Sequence, residues 1–239
     1  MIHLITYGNF RYEESKKRLC SEAEETGWFD SITSYGPEDL DNNFKISFEN
    51  ILNQDRGGGY WIWKPYLIKK QLEKINDNDV LIYLDSGCSI NKNGKKRLDE
   101  YIEILKNGDY GCISFQMNHL LEKTWTTKEI FKQFNVEEDG EIANAGQIVS
   151  GIQIIIKNPK SIKLVNTWNE TLYENPLLFT DHYRDQHSYF IENRHDQSVF
   201  SVIRKINSMN TAFLTDETWF TPFGNEESLK CPFWACRIK

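Results

Sequence analysis

Asp79-Val80-Leu81-Ile82-Tyr83-Leu84-Asp85-Ser86-Gly87 runs five apolar or aromatic residues straight into a carboxylate and a serine-glycine turn. An uninterrupted apolar run, unlike an alternating one, suits a strand covered on both faces, and such strands belong mostly to parallel sheets layered between helices. In open sheets of that kind ligands bind beyond the carboxyl ends of the strands. Asp85 stands at that edge, where a carboxylate suits a divalent cation or a sugar hydroxyl, and Gly87 removes a side chain where a ligand approaches closely. The structural alternative for Asp85 is a bond to its own turn amides.

Outward from this stretch the chain alternates. Ile2 to Gly8 predicts a first strand ending in a glycine turn, and a charged helix follows from about Tyr12 to Glu25. Trp28 to Tyr35 predicts a second strand, and Phe44, Phe48, Ile51 and Leu52 form a helical stripe that Gly57-Gly58-Gly59 interrupts. Helices are expected from Pro65 to about Ile75 and from Lys96 to Lys106, and strands around Tyr110 to Phe115 and Gly151 to Ile156. Further helices are expected from Lys128 to Phe134, from Asn158-Pro159 to Tyr173 and from Asp196 to Ile206, with a polar stretch at Glu137 to Glu141. This alternation predicts an α/β class with a central, mostly parallel sheet flanked by helices. One domain over residues 1–239 is expected, since that length suffices for a sizeable core.

Composition narrows the function. With 28 basic against 35 acidic residues the net charge is -7, which argues against binding nucleic acid through its phosphates. No run reaches the roughly 18 apolar residues of a membrane span, and the start lacks a signal-peptide pattern, so a cytoplasmic enzyme is expected, with peripheral membrane contact allowed. Five scattered cysteines without a CxxC pair indicate neither a disulfide framework nor a zinc site. Seven Trp and eleven Tyr suit sugars and bases as well as a core.

Four segments carry further chemistry. In Arg56-Gly57-Gly58-Gly59-Tyr60-Trp61-Ile62-Trp63-Lys64-Pro65 the proline marks a helix start, which puts Lys64 at a positive dipole end where an anion such as a diphosphate would offset it. The alternative is a solvated lysine, and the glycine run lacks the ending of a Walker motif. In Glu192-Asn193-Arg194-His195-Asp196-Gln197-Ser198, Asp196 stands at a helix threshold, as an N-cap, as a general base, or as both, with His195 beside it as a metal ligand or partner. Thr126 and Glu129 have capping-box spacing, which leaves Trp125 and Lys128 to stack on and hydrogen-bond a sugar, or to serve as a core tryptophan and a solvated lysine. The terminal Cys231–Arg237 stretch, aromatic and basic, would close over a diphosphate or dock on a partner.

Together, Thr6-Tyr7-Gly8, the Gly58–Pro65 segment, Val80–Cys88 and Glu192–Ser198 resemble the nucleotide-sugar glycosyltransferases of the GT-A fold, in particular capsule-type bacterial and large-DNA-virus enzymes. The resemblance implies a nucleotide-sugar-binding half over about residues 1–115 and an acceptor half over about 116–239. It implies transfer of a hexose or deoxyhexose from a nucleotide diphosphate sugar, UDP-sugars slightly favoured, to a glycan hydroxyl in surface polysaccharide or glycoconjugate synthesis, with inversion and with Asp196 as base. Thr6 and Tyr7 would then lie near base and ribose, and Lys64 near the diphosphate, with Arg56 and Arg194 as further cations. Tyr60, Trp61, Ser86, Gly87, Trp125, Lys128 and His195 complete the expected substrate contacts. Asp85 takes the place of the first aspartate of a DXD motif, whose last position here is Gly87, so an Mn²⁺ or Mg²⁺ ion would rest on Asp85 with some other ligand or with water, or would be absent, in which case Lys64, Arg56 or Arg194 would offset the charge of the leaving diphosphate. The rival readings are a sugar-1-phosphate nucleotidyltransferase and a catalytically silent carbohydrate-binding module.

Overall fold

The strand predicted from residues 80–84 lies at the heart of the computed structural model, which describes residues 1–238, and all five of its residues are buried. The strands are β1 (Ile2–Tyr7), β2 (Ser31–Tyr35), β3 (Val80–Leu84), β4 (Ser89–Ile90), β5 (Cys112–Leu121), β6 (Gly146–Ile148), β7 (Ile152–Ile156), β8 (Thr211–Thr215) and β9 (Phe233–Trp234). The principal helices are α1 (Glu13–Thr26), α2 (Trp63–Lys74), α3 (Lys95–Asn107), α4 (Pro159–Glu174) and α5 (Asp196–Ile206). Seven strands form one sheet in the order β2-β1-β3-β7-β5-β6, with β8 paired to the other edge of β5. The β2-β1-β3 side is parallel, as βα crossovers require, whereas β7 runs antiparallel to both β3 and β5.

Both faces of the sheet are covered, which is why β3 needs apolar residues at every position. Leu81 and Tyr83 face one core with Leu67, Ile68, Trp168 and Phe200 from α2, α4 and α5. Val80, Ile82 and Leu84 face the other, with Leu19 and Leu98 from α1 and α3. Trp168 and Phe200 stack with their ring centroids 4.0 Å apart and lock α4 against α5.

The glycine run does more than interrupt a helix. Gly57, Gly58, Gly59, Tyr60 and Trp61 all have positive φ, between 53° and 93°, and form one left-handed helical turn. Each L-residue in that conformation costs about 1–2 kcal/mol, so three of the five positions being glycine makes the turn affordable. Helix α2 then starts at Trp63, two residues before the expected proline start, which places Lys64 inside its first turn. At the other end, the antiparallel partner sets the site: because β7 is antiparallel to β3, its first residues lie beside the last residues of β3, and the Asp85 amide donates to the Gly151 carbonyl at 2.8 Å. The C-terminal segment returns to the same edge. β9 pairs with β4, and the Ile238 amide donates to the Gly87 carbonyl at 2.9 Å.

Two capping expectations change. Thr127, not Thr126, caps the helix Lys128–Gln133 by accepting from the Ile130 amide, while the Thr126 hydroxyl donates to buried Glu122. Asp196 is the first residue of α5 instead of its N-cap, which is His195, and this frees its carboxylate for the interior.

Candidate active site

The cleft lies where the strand-end rule puts it, beyond the carboxyl ends of β1 and β3, with a volume of about 660 Å³. That is within the usual range of small-molecule sites, about 300–1,000 Å³. Tyr7 and Gly8 from the end of β1 and Asp85, Ser86 and Gly87 from the end of β3 form its floor. The left-handed turn contributes Gly57, Gly58 and Trp61, and the start of α5 contributes Arg194, His195 and Asp196. Tyr7 stacks on Trp63 with centroids 3.8 Å apart, a contact that holds the first turn of α2 against β1.

The centre of the site is a charged cluster around Lys64. Its ammonium donates to Asp196 Oδ2 at 2.9 Å, to Asp85 Oδ1 at 3.2 Å and to Ser150 Oγ at 3.0 Å. It also lies 5.1 Å from the centroid of the Tyr83 ring, and the residue is 1 % exposed. Burial pulls its pKa down, but Asp196 and Asp85 together outweigh burial and hold it above the ordinary lysine value, so the ammonium stays charged. Asp196 is buried as well, and the Ser150 hydroxyl donates to the same Oδ2 that Lys64 holds. Asp85 is the open member, its side chain 39 % exposed. Its Oδ1 accepts from the Tyr83 hydroxyl at 2.5 Å and from Lys64, which leaves Oδ2 turned toward Gly151 and the cleft. A carboxylate with one oxygen anchored and the other free is held in a fixed orientation while it can still accept a proton or a hydroxyl hydrogen bond.

A second, cationic group lines the same cleft. Arg194 lies over the Trp125 ring at 4.2 Å, and Arg237 lies over Trp219 at 5.3 Å. Burial lowers the Arg194 pKa, Glu192, which pairs with its guanidinium at 3.1 Å, opposes that, and nearby Arg237 and Arg56 lower it further. Arg56 is engaged by Asp181 at 3.2 Å and Glu192 at 2.9 Å. His195, at φ 58°, donates from Nε2 to Asp181 Oδ1 at 2.9 Å and stacks on Tyr60. Burial takes its pKa below the ordinary histidine value despite Asp181.

Of the residues expected from sequence, Tyr7, Arg56, Trp61, Lys64, Asp85, Ser86, Gly87, Arg194, His195 and Asp196 meet in this cleft. Thr6 is buried off the cleft wall, because its neighbour Tyr7 takes the position that faces the cavity. Tyr60 and Trp125 stand behind the wall as supports for His195 and Arg194. Lys128 lines a different cavity, of about 660 Å³, beside Lys132 and Tyr183. Lys64 is not a free cation aimed at an anion, since two carboxylates already hold it. An ion does not fit at the point shared by Asp85 and Asp196, because the Lys64 ammonium already takes it. Sequence reasoning missed Ser150, Gly151 and Trp219. A second serine-glycine pair bordering an apolar run, Ser150-Gly151, was the available signal.

No protein-family model matches the chain, and no curated protein sequence matches it significantly. Solved structures do. A glycosyltransferase involved in the glycosylation of the major capsid of PBCV-1 superposes with a TM-score of 0.54 at 12 % identity, over 98 % of this chain and 91 % of that one. Mouse xyloside xylosyltransferase 1 gives 0.51 at 12 % identity, over 100 % and 95 %. The fold is that of the GT-A glycosyltransferases. At these identities the likeness establishes the GT-A architecture and leaves the chemistry to the cleft. A glucose-1-phosphate thymidylyltransferase from Bacillus anthracis also superposes, at 0.45 and 8 % identity, too weakly to bear on the question.

Proposed function

We propose that this chain is a glycosyltransferase that moves a sugar from a nucleotide diphosphate sugar to a hydroxyl of a glycan acceptor. The observation that carries the reading is the division of the cleft into two electrostatic halves at the strand ends, an anchored, half-open carboxylate at Asp85 and a cationic pair at Arg194 and Arg237. A diphosphate leaving group needs positive charge within its reach: exposed Arg237 and half-exposed Arg194, which shares its guanidinium with Glu192 at 3.1 Å, are more accessible to it than buried Lys64, which two carboxylates hold. An acceptor hydroxyl needs a base, and Asp85 Oδ2 is better exposed for that than buried Asp196. Asp196 then serves by holding Lys64, which with Tyr83 fixes Asp85. In the proposed step the acceptor oxygen attacks the anomeric carbon, its proton passes to Asp85, and the bond to the diphosphate breaks, with inversion. Exposed Trp219 at the rim offers a face for an acceptor sugar.

Thermal melts against UDP, GDP, CDP and dTDP and their sugars test donor binding, since a ligand at about 100 times its Kd stabilises by about 2.7 kcal/mol. Stabilisation by one nucleotide family, with release of its diphosphate when a glycan acceptor is added, is the expected result. Stabilisation by glycans alone, with no nucleotide effect, would replace the transferase with a carbohydrate-binding protein. Asp85→Asn is expected to bind donor and lose turnover, whereas turnover near that of the wild type would return the base to Asp196.

A further inference from the structure

We infer that Lys64 is a built-in cation that permanently fills an oxygen cage of the kind hard divalent ions use, so that donor binding and transfer in this protein run without a divalent metal. The part concerning the donor rests on the glycosyltransferase reading above; the part concerning the cage does not.

Four oxygens converge on the Lys64 ammonium: Asp196 Oδ2 at 2.9 Å, Ser150 Oγ at 3.0 Å, Asp85 Oδ1 at 3.2 Å and the Ser150 carbonyl at 3.5 Å. Carboxylates, a hydroxyl and a carbonyl are the hard donors that Mg²⁺, Mn²⁺ or Ca²⁺ would select. Here the cage is fixed before any ion arrives. Asp196 is oriented by the Ser150 hydroxyl, and Asp85 by the Tyr83 hydroxyl at 2.5 Å. The Ser150 carbonyl also accepts from Gln153 Nε2 at 2.9 Å. The lysine cannot leave readily, because its backbone is in the first turn of α2, which the Tyr7–Trp63 stack pins to β1. Its stem is buried, and its ammonium is paired with two carboxylates at 2.9 and 3.2 Å. A divalent ion entering this point would have to displace an ammonium that two carboxylates and the Ser150 hydroxyl hold together. The positive charge needed at a leaving diphosphate is then left to Arg237 and Arg194, which line the same cleft, Arg194 sharing its guanidinium with Glu192 at 3.1 Å.

Removing the ammonium should expose what it fills. Lys64→Ala leaves two carboxylates facing an emptied channel that water and a hydrated ion can enter, whereas Lys64→Met fills the channel with an apolar stem and leaves the cage closed. The experiment is Mn²⁺ alone, with no nucleotide, titrated into wild type and both variants and followed by electron paramagnetic resonance and by melting in Mn²⁺ or EDTA. The wild type is expected to bind no Mn²⁺ at this point and to melt identically in both. Lys64→Ala is expected to melt lower in EDTA, to recover several degrees in Mn²⁺ and to lose that recovery when Asp196→Asn is added; Lys64→Met should show no response to Mn²⁺. Stoichiometric Mn²⁺ binding by the wild type that Asp85→Asn abolishes would overturn the inference, and so would a folded Lys64→Ala indifferent to Mn²⁺. The wild-type arm decides alone if Lys64→Ala does not fold. Once a donor nucleotide is known, its affinity for the wild type should be the same in EDTA and in Mn²⁺, and a metal-dependent affinity would overturn the donor part while leaving the transferase reading in place.

Discussion

Gly151→Ala tests the geometry of the site without altering any of its charged groups. A Cβ built on Gly151 would lie 2.7 Å from Asp85 Oδ2 and 3.3 Å from its Cγ. Ordinary contact begins at 3.4 Å, so the carboxylate would have to retreat by 0.7 Å. It cannot do so freely, because Oδ1 is tied to the Tyr83 hydroxyl at 2.5 Å and to Lys64 at 3.2 Å. Gly151 does not have a positive φ, so alanine meets no backbone penalty there, and overpacking of this size costs on the order of 1 kcal/mol. In a chain of this length that lowers Tm by roughly 2–4 °C. A misplacement near 1 Å at a reacting group costs on the order of 10²-fold in rate, so a fall of roughly 30- to 100-fold in kcat is expected for a 0.7 Å displacement. The assay is nucleoside diphosphate release at saturating donor, read beside a thermal melt. A variant that keeps wild-type kcat within about threefold would show that Asp85 Oδ2 is not at the reacting atoms.

Four further outcomes follow from the same coordinates. Lys64→Met strands the buried Asp196 carboxylate without its cation and should lose about 3–5 kcal/mol in urea unfolding; a loss under about 1 kcal/mol would mean that Lys64 is not what holds it. Arg194→Ala and Arg237→Ala should each weaken nucleoside diphosphate binding by about 10- to 100-fold, the usual worth of a hydrogen bond to a charged group, and should flatten its salt dependence; unchanged affinity would remove the phosphate role. Because burial depresses the His195 pKa, its neutral form is favoured by folding, and its contribution is complete above the unfolded value of about 6.5 and is lost as pH falls through the lower folded value; stability should therefore decline below about pH 6.5, and His195→Gln should flatten that decline in melts across the range. Gly58→Ala should cost about 1–2 kcal/mol from its φ of 57° alone, since its nearest neighbour, an Asn9 side-chain nitrogen, leaves 3.4 Å; a neutral substitution would mean that the left-handed turn relaxes.

What could be read from the sequence, and what could not, divides along the range of the interactions. The run from Val80 to Leu84 declared a strand buried on both faces because burial must satisfy every residue of it locally, and Asp85 at its end declared a site because strand ends are where an α/β sheet opens. The glycine run announced an unusual backbone, but a left-handed turn over five residues is visible only once Tyr60 and Trp61 are seen to share the sign of φ of the glycines before them. The partners of Lys64 were out of reach for a different reason. Helix-dipole reasoning treats a lysine in a first turn as unpaired and therefore seeking an anion, yet the groups that arrive are fixed by strand order and direction: β7 lies next to β3 and antiparallel to it, and that brings Ser150 and Gly151 beside Asp85. Asp196 is added by α5, which packs onto the same face of the sheet through Phe200 and Trp168. Residue type and spacing thus found most of the charged side chains that line the cleft, but their charges had to be summed in three dimensions. That sum reverses the meaning of Lys64, from a cation waiting for a phosphate to the cation around which two carboxylates are built.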